Sequence, residues 1–205
     1  MGGIMENIIA AIGWLIVVYL LGSIPFGLII AKMARGIDPR QWGSQNTGAT
    51  NVLRLCGTKY AVLTLLLDIA KGFLAVIVAL GISSSVLFLS LTGLAAILGH
   101  MYSIFLNRKG GKGMATTIGV FAALTPSPLF WSLIVCLLLI YLTGYVSLGS
   151  LSLVTLLPLF ILISGNFGML ILSILVMFLV YSKHRKNILR LARGEEEPWK
   201  QRAAD

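Results

Sequence analysis

From Ile8 to Val180 one apolar stretch follows another, and Gly, Pro and Ser interrupt most of them rather than charged residues. No other feature limits the fold as strongly, because long apolar runs of this kind form helices across a bilayer. Hydrophobic residues make up 58% of the chain and charged ones 11%, against about half and a quarter in an ordinary soluble protein. The expectation is an all-α, polytopic integral membrane protein, a single domain over residues 1–205 with no sizeable soluble portion. The first apolar run imitates a secretory signal. No basic stretch precedes it, however, and Lys32 and Arg35 follow it, so it is kept as a span. Cys56 in a polar loop and Cys136 in an apolar run read as two unpaired structural thiols.

The formal net charge of +9 invites a nucleic-acid reading, which its distribution argues against. Apart from Lys71, every Lys and Arg falls in segment 32–59, in loop 107–113 or in the tail from Lys183. Basic juxtamembrane clusters mark the cytoplasmic face, so all three belong on one side and each intervening stretch crosses an even number of times. Residues 60–106 then form two spans with a break at 81–85. Residues 114–182 form four short spans of about 17 residues, broken at 125–128, 143–150 and 164–166. With a first span at roughly 8–30 the total is seven, the N-terminus extracytoplasmic and the C-terminus cytoplasmic. Segments 31–59, 107–113, 143–150 and 183–205 all face the cytoplasm.

Topology explains most of the cations but not the residues around them. The run Gly43, Ser44, Gln45, Asn46, Thr47, Gly48, Ala49, Thr50, Asn51 is small, polar and suited to tight turns whose amides and hydroxyls surround an oxyanion. Arg54 adds a bidentate phosphate contact. The same run also suits an interfacial loop that caps the next helix. In 107–113, Gly110, Gly111 and Gly113 flank Lys112 just before an apolar helix, an arrangement that binds phosphate through backbone amides. It is not a P-loop, since position 106 is Leu and Met114 follows Gly113. Asp68 and Lys71 lie at i, i+3 within a span, either as a functional pair or, the preferred reading, as mutual neutralisers. His184 and Asn187 share that spacing at the end of the last span, and His100 reads as a structural imidazole. No metal-ligand set and no nucleophile–base motif is visible.

Five stretches together are specific: GSIPFG (22–27), GSQNTGATNVLR (43–54), LLLDIAKG (65–72), GHMYSIFLNRKGGKGMATTIGV (99–120) and HRKNI with RGEE (184–196). In order and spacing, over almost the whole chain, they resemble the bacterial acyl-phosphate:glycerol-3-phosphate acyltransferases, the PlsY family. Gln45 stands where that family usually has Gly, and Arg108 where it usually has an aromatic. The resemblance implies seven spans in the bacterial inner membrane, an active site facing the cytoplasm, no cofactor and no metal. It implies acyl transfer from acyl phosphate to the 1-hydroxyl of glycerol 3-phosphate, the first acylation of phospholipid synthesis. By motif position, Ser44, Arg54 and Lys112 hold phosphate with the amides of Gly48, Gly110, Gly111 and Gly113. Asn46, Thr50 and Asn51 shape that site. His184 and Asn187 position glycerol 3-phosphate, Ser150 contacts a substrate phosphate, and Glu195 matches a family acid. The partners implied are the two substrates, membrane lipid and the enzyme that makes acyl phosphate, with no nucleic acid. An acyltransferase of the H-x-x-x-x-D type does not fit, because neither histidine has an Asp four or five residues on. The remaining alternative is a transporter or channel for an organic phosphate, which places its polar groups near the bilayer midplane.

Overall fold

The computed structural model describes residues 2–199, with side chains from Ile8 onward; Lys200 and Arg202 of the basic tail lie outside the described residues. All regular structure among the described residues is helical, in two compact units that divide after Leu124.

The first unit contains α1 (Gly2–Ser23), α2 (Phe26–Arg35), α3 (Ala49–Cys56), α4 (Thr58–Ile82), α5 (Val86–Met101) and α6 (Met114–Leu124). Glycines decide which helices meet. A Cβ on Gly22 of α1 would collide with the Ala96 carbonyl of α5, and one on Gly99 of α5 with the Tyr19 carbonyl of α1. Gly119 of α6 lies as tightly on Ile69 of α4, and Gly72 of α4 on Thr116 of α6. Within lipid, where burying apolar surface gives little drive, such close backbone approach supplies the packing energy. Hydrogen bonds from Trp14 Nε1 to Thr92 Oγ1 (3.1 Å) and from Tyr19 Oη to the Tyr102 carbonyl (2.6 Å) reinforce the α1–α5 pair.

Proline breaks the first span. Pro25 has no N–H to donate and the helix restarts at Phe26, which leaves carbonyls at the end of α1 unanswered. Ser103 Oγ donates to the Ser23 carbonyl at 2.6 Å, and Lys71 Nζ to that of Ile24 at 3.0 Å. A charged side chain inside a span is thus used to cap a broken helix.

The second unit contains α7 (Pro126–Thr143), α8 (Val146–Ile163), α9 (Leu170–Lys183) and α10 (Arg185–Arg193). Proline at the start of α7 needs no N–H partner. Gly144, at φ +76°, turns the chain back so that α8 packs along α7, and Gly149 there approaches the Cys136 carbonyl. A 64° bend at His184 separates α9 from α10.

The apolar surface points outward: Leu66, Leu87, Trp131, Leu137 and Ile171 are each more than half exposed, as lipid-facing helices require. Five helices among the described residues are long and apolar enough to cross a bilayer, or six if α9 and α10 count as one span. The expected breaks at 81–85, 125–128 and 164–166 fall at helix ends, the second reduced to Thr125 because α7 already begins at Pro126. Three details differ. The first span is broken at Ile24–Pro25. Segment 143–150 is a turn at Gly144–Tyr145, from Val146 on already helix, because the αL glycine reverses the chain at once. Lastly, α6 has 11 residues rather than about 17.

Candidate functional site

In the first unit the polar loop before α3 is organised by one buried side chain. Asn51 Oδ1 accepts from the Ser44 N–H at 2.9 Å. Its Nδ2 lies within donating distance of the carbonyls of Pro39 (2.7 Å), Asn46 (2.9 Å) and Trp42 (3.1 Å). With two hydrogens for three acceptors, one bond is shared. Asn46 Oδ1 in turn accepts from the Gly48 N–H at 2.8 Å, closing an Asx turn at the start of α3. Gly43 at φ +59° and Gln45 at φ +55° both take the left-handed conformation this path demands. Ser44, Thr50 and Arg54 are half-buried around this frame, Arg54 one helical turn beyond Asn51. At the loop's entry Arg40 forks onto Asp38, Nη2 to Oδ2 at 2.6 Å, and the guanidinium holds the Asp38 carboxyl below its usual range.

The Gly–Lys loop rests on the end of α5. The Gly111 N–H donates to the His100 carbonyl at 3.1 Å. A Cβ at Gly110 would strike that carbonyl, one at Gly111 the His100 ring, and one at Gly113 the Met101 side chain. The three glycines are therefore explained by packing on α5, and Gly113 also by its φ of +85°. Lys112, half-buried, stands between them. Asn107 and Arg108 enter the loop at φ +50° and +63°.

Beneath both loops lie Asp68, Lys71 and His100, all buried. Asp68 Oδ1 is 2.8 Å from Lys71 Nζ, an ion pair within one helix, and 3.4 Å from His100 Nδ1. Lys71 Nζ also sits 5.6 Å from the Phe26 ring centre. A cavity of about 10 Å³, room for roughly one water, opens among Pro25, Thr47, Asp68, Lys71, His100 and Ser103. Thr47 ties the first loop to it, and Gly27 backs directly onto the Thr47 carbonyl.

In the second unit Glu196 gathers the polar side chains. Its Oε1 accepts from Ser147 Oγ at 2.6 Å and Asn187 Nδ2 at 2.5 Å, and its Oε2 from Arg190 Nε at 2.7 Å. Burial raises the carboxyl's pKa, but these three bonds and the Arg190 charge outweigh it, so the net direction is downward. The Trp199 N–H donates to the Gly144 carbonyl at 2.9 Å, which ties the tail to the α7–α8 turn. His184 is buried at the α9–α10 bend, with Nδ1 2.9 Å from the Val180 carbonyl. A carbonyl only accepts, so Nδ1 carries a proton and donates it there. Ser150 is buried one turn beyond Ser147 on α8.

The structure thus gathers Ser44, Asn46, Gly48 and Asn51 into one frame and Gly110, Gly111 and Gly113 onto another. It gives Asn187 a carboxylate partner. That partner is Glu196; Glu195, the acid singled out by motif position, is exposed beside it. Ser147 and Glu196 were missed for one reason. They are 49 residues apart, and no periodicity links a helix start to a tail.

The sequence model described as glycerol-3-phosphate acyltransferase matches residues 12–194. A glycerol-3-phosphate acyltransferase of Nitratidesulfovibrio vulgaris is 57% identical over 94% of this chain, which spans 59% of that protein's length. One of Maridesulfovibrio salexigens is 50% identical over 92% of this chain and 97% of its own. Two crystal structures of PlsY (YgiH), described as an integral membrane glycerol 3-phosphate acyltransferase, are each 42% identical. They cover 92% of this chain and 95% of their own. The glycerol 3-phosphate form superposes with a TM-score of 0.88 and the lysophosphatidic acid form with 0.86.

Proposed function

The chain belongs to the glycerol-3-phosphate acyltransferase family, and on that premise we propose that it transfers an acyl group from acyl phosphate to the 1-hydroxyl of glycerol 3-phosphate. The products are 1-acyl-glycerol 3-phosphate and inorganic phosphate. The observation that supports the acceptor and the product is the likeness to a relative solved in a glycerol 3-phosphate form and a lysophosphatidic acid form; the donor rests on the motif resemblance.

Acyl phosphate is a mixed anhydride, so it arrives activated and no acyl-enzyme is required. The acceptor oxygen attacks the acyl carbonyl carbon, the bond from that carbon to the phosphate oxygen breaks, and the departing phosphate takes the hydroxyl proton. Two anions must be held against their mutual repulsion, which fixed cations and oriented amides accomplish. Ser44, Arg54, Lys112 and the amides of loops 43–51 and 110–113 bind phosphate, with Asn46, Thr50 and Asn51 supporting them. His184 and Asn187 orient glycerol 3-phosphate, and Ser150 contacts a substrate phosphate. Glu195 is assigned to the same region on motif position, and the geometry adds Glu196 as the residue that holds Asn187.

Residues 1–205 act as one acyltransferase domain with seven crossings, α6 being a short one, in the bacterial inner membrane with the site toward the cytoplasm. The three basic clusters support this sidedness. The enzyme that supplies acyl phosphate is the natural partner.

Purified protein given acyl phosphate and glycerol 3-phosphate should release 1-acyl-glycerol 3-phosphate and phosphate, and acyl-coenzyme A should be the poorer donor. Preference for the thioester would overturn the donor assignment. Cysteine labelling, in a background lacking Cys56 and Cys136, should reach position 190 from the cytoplasm and position 83 from outside; the reverse would overturn the topology.

A further inference from the structure

The Asp68–Lys71–His100 cluster is not among the groups assigned to substrate, yet it lies directly under one of them. His100 meets the Gly–Lys loop twice: its carbonyl takes the Gly111 N–H, and its ring fills the place of a Gly111 side chain. The ring's other edge faces Asp68, itself 2.8 Å from Lys71, and Lys71 is anchored on the Ile24 carbonyl. Loop, ring, carboxylate, ammonium and broken helix form one buried chain of contacts. The imidazole lies between the Asp68 carboxylate and the Gly111 backbone, with no room for a Cβ on the loop side, so the ring's position limits how closely Gly111, and Lys112 beside it, can approach α5. Simple charge neutralisation needs only Asp68 and Lys71, which already pair at i, i+3. It leaves His100 unexplained.

We propose that His100, oriented by Asp68, is a positioning residue for the phosphate-binding loop, setting where the Lys112 ammonium and the amides of residues 110–113 meet a substrate phosphate. The inference rests on the assignment of that loop to phosphate. The phosphate is that of acyl phosphate or of glycerol 3-phosphate, and the two are separable by experiment.

The test is steady-state kinetics in detergent on His100→Leu, His100→Gln and Lys112→Ala. The readouts are kcat, KM for each substrate and the inhibition constant of inorganic phosphate. Loss of folded molecules lowers the apparent kcat and leaves KM and the inhibition constant alone, so those two separate positioning from structure. His100→Leu should raise the phosphate inhibition constant, and the KM of whichever substrate puts its phosphate in the loop, by about tenfold. The other KM should stay within about twofold, which identifies the phosphate. His100→Gln retains a polar group toward Asp68 and should recover most of the loss. If Lys112→Ala shifts these constants and His100→Leu does not, the inference is overturned while the phosphate loop stands. If Lys112→Ala shifts none of them, the loop assignment falls and the inference with it. Should His100→Leu fail to fold, Gly111→Ala approaches from the other side with the buried charges intact. It places a methyl against the His100 ring and must produce the same rise in KM and inhibition constant; unchanged values there also overturn the proposal.

Discussion

The two units hold their polar side chains by different means. In the first, the frame is backbone: Asn51 gathers one loop by its main-chain groups, and glycines lay the other on α5. In the second, the frame is side chain on side chain, Ser147, Asn187 and Arg190 converging on one carboxylate supplied by the tail. A backbone frame is rigid and intolerant of added atoms. A carboxylate frame depends on one charge, and so on pH. The difference predicts which substitutions hurt and how.

The largest effect should come from Asn51→Ala, which strips partners from a loop N–H and three carbonyls at once. At about 1–3 kcal/mol for a buried group left unsatisfied, a loss of roughly 3 kcal/mol in stability is expected, with kcat/KM down at least 100-fold. Thermal unfolding in detergent beside kinetics measures both. A variant within twofold of wild type would show that the loop does not depend on Asn51.

Next come the substrate-facing charges and the residues that place them. Lys112→Ala and Arg54→Ala should each lower kcat/KM by about one to two decades, the loss of one charge-assisted contact. They should leave the melting temperature nearly unchanged. Glu196→Ala should match that kinetic loss through a misplaced Asn187, but with a lower melting temperature, since Glu196 bonds to three partners. Equal melting behaviour in the two groups would erase the contrast between the units.

The pH dependence sharpens it further. Because the folded Glu196 pKa lies below its ordinary 4.5, the carboxylate's contribution is complete above that value and is lost as pH falls through the lowered folded pKa. The melting-temperature gap between wild type and Glu196→Gln should therefore be widest near neutrality and close in acid. A gap independent of pH would mean the carboxylate's charge does not hold the cluster.

The smallest effect is a gain. Gln45 occupies a left-handed position, where a non-glycine residue costs on the order of 1 kcal/mol or more. Gln45→Gly should raise stability by about 1 kcal/mol less the added chain entropy of glycine, with kcat/KM unchanged. A lowered melting temperature would show that the Gln45 side chain contributes more than its backbone costs.

Legibility in the sequence follows the same division. Turn residues and glycines advertise a backbone frame, so Ser44–Asn51 and Gly110–Gly113 were readable as built loops, and the helix ends near 82, 124 and 163 followed from their small and polar interruptions. The role of the glycines was half readable: flexibility was evident, but the His100 and Met101 side chains that exclude a Cβ were not. The Glu196 cluster joins residues whose spacing has no period, and of three successive glutamates only the fold singles one out. The break at Pro25 was present in the sequence, but the residues that repair it lie far along the chain, Lys71 in α4 and Ser103 just beyond the end of α5.

The repair at Pro25 also bears on how the chain enters the bilayer. During synthesis α4 must leave the insertion machinery carrying Asp68 and Lys71, each of which alone costs about 2.5–3.5 kcal/mol at mid-membrane on insertion scales. Their i, i+3 spacing lets them travel as a self-neutralised pair from the moment the helix forms. By then α1 and α2 are already in place, with the Ile24 carbonyl waiting. His100 arrives later, on α5. The order of the genes' codons is thus also a workable order of assembly: an acceptor first, then a shielded cation, then the imidazole that closes the cluster.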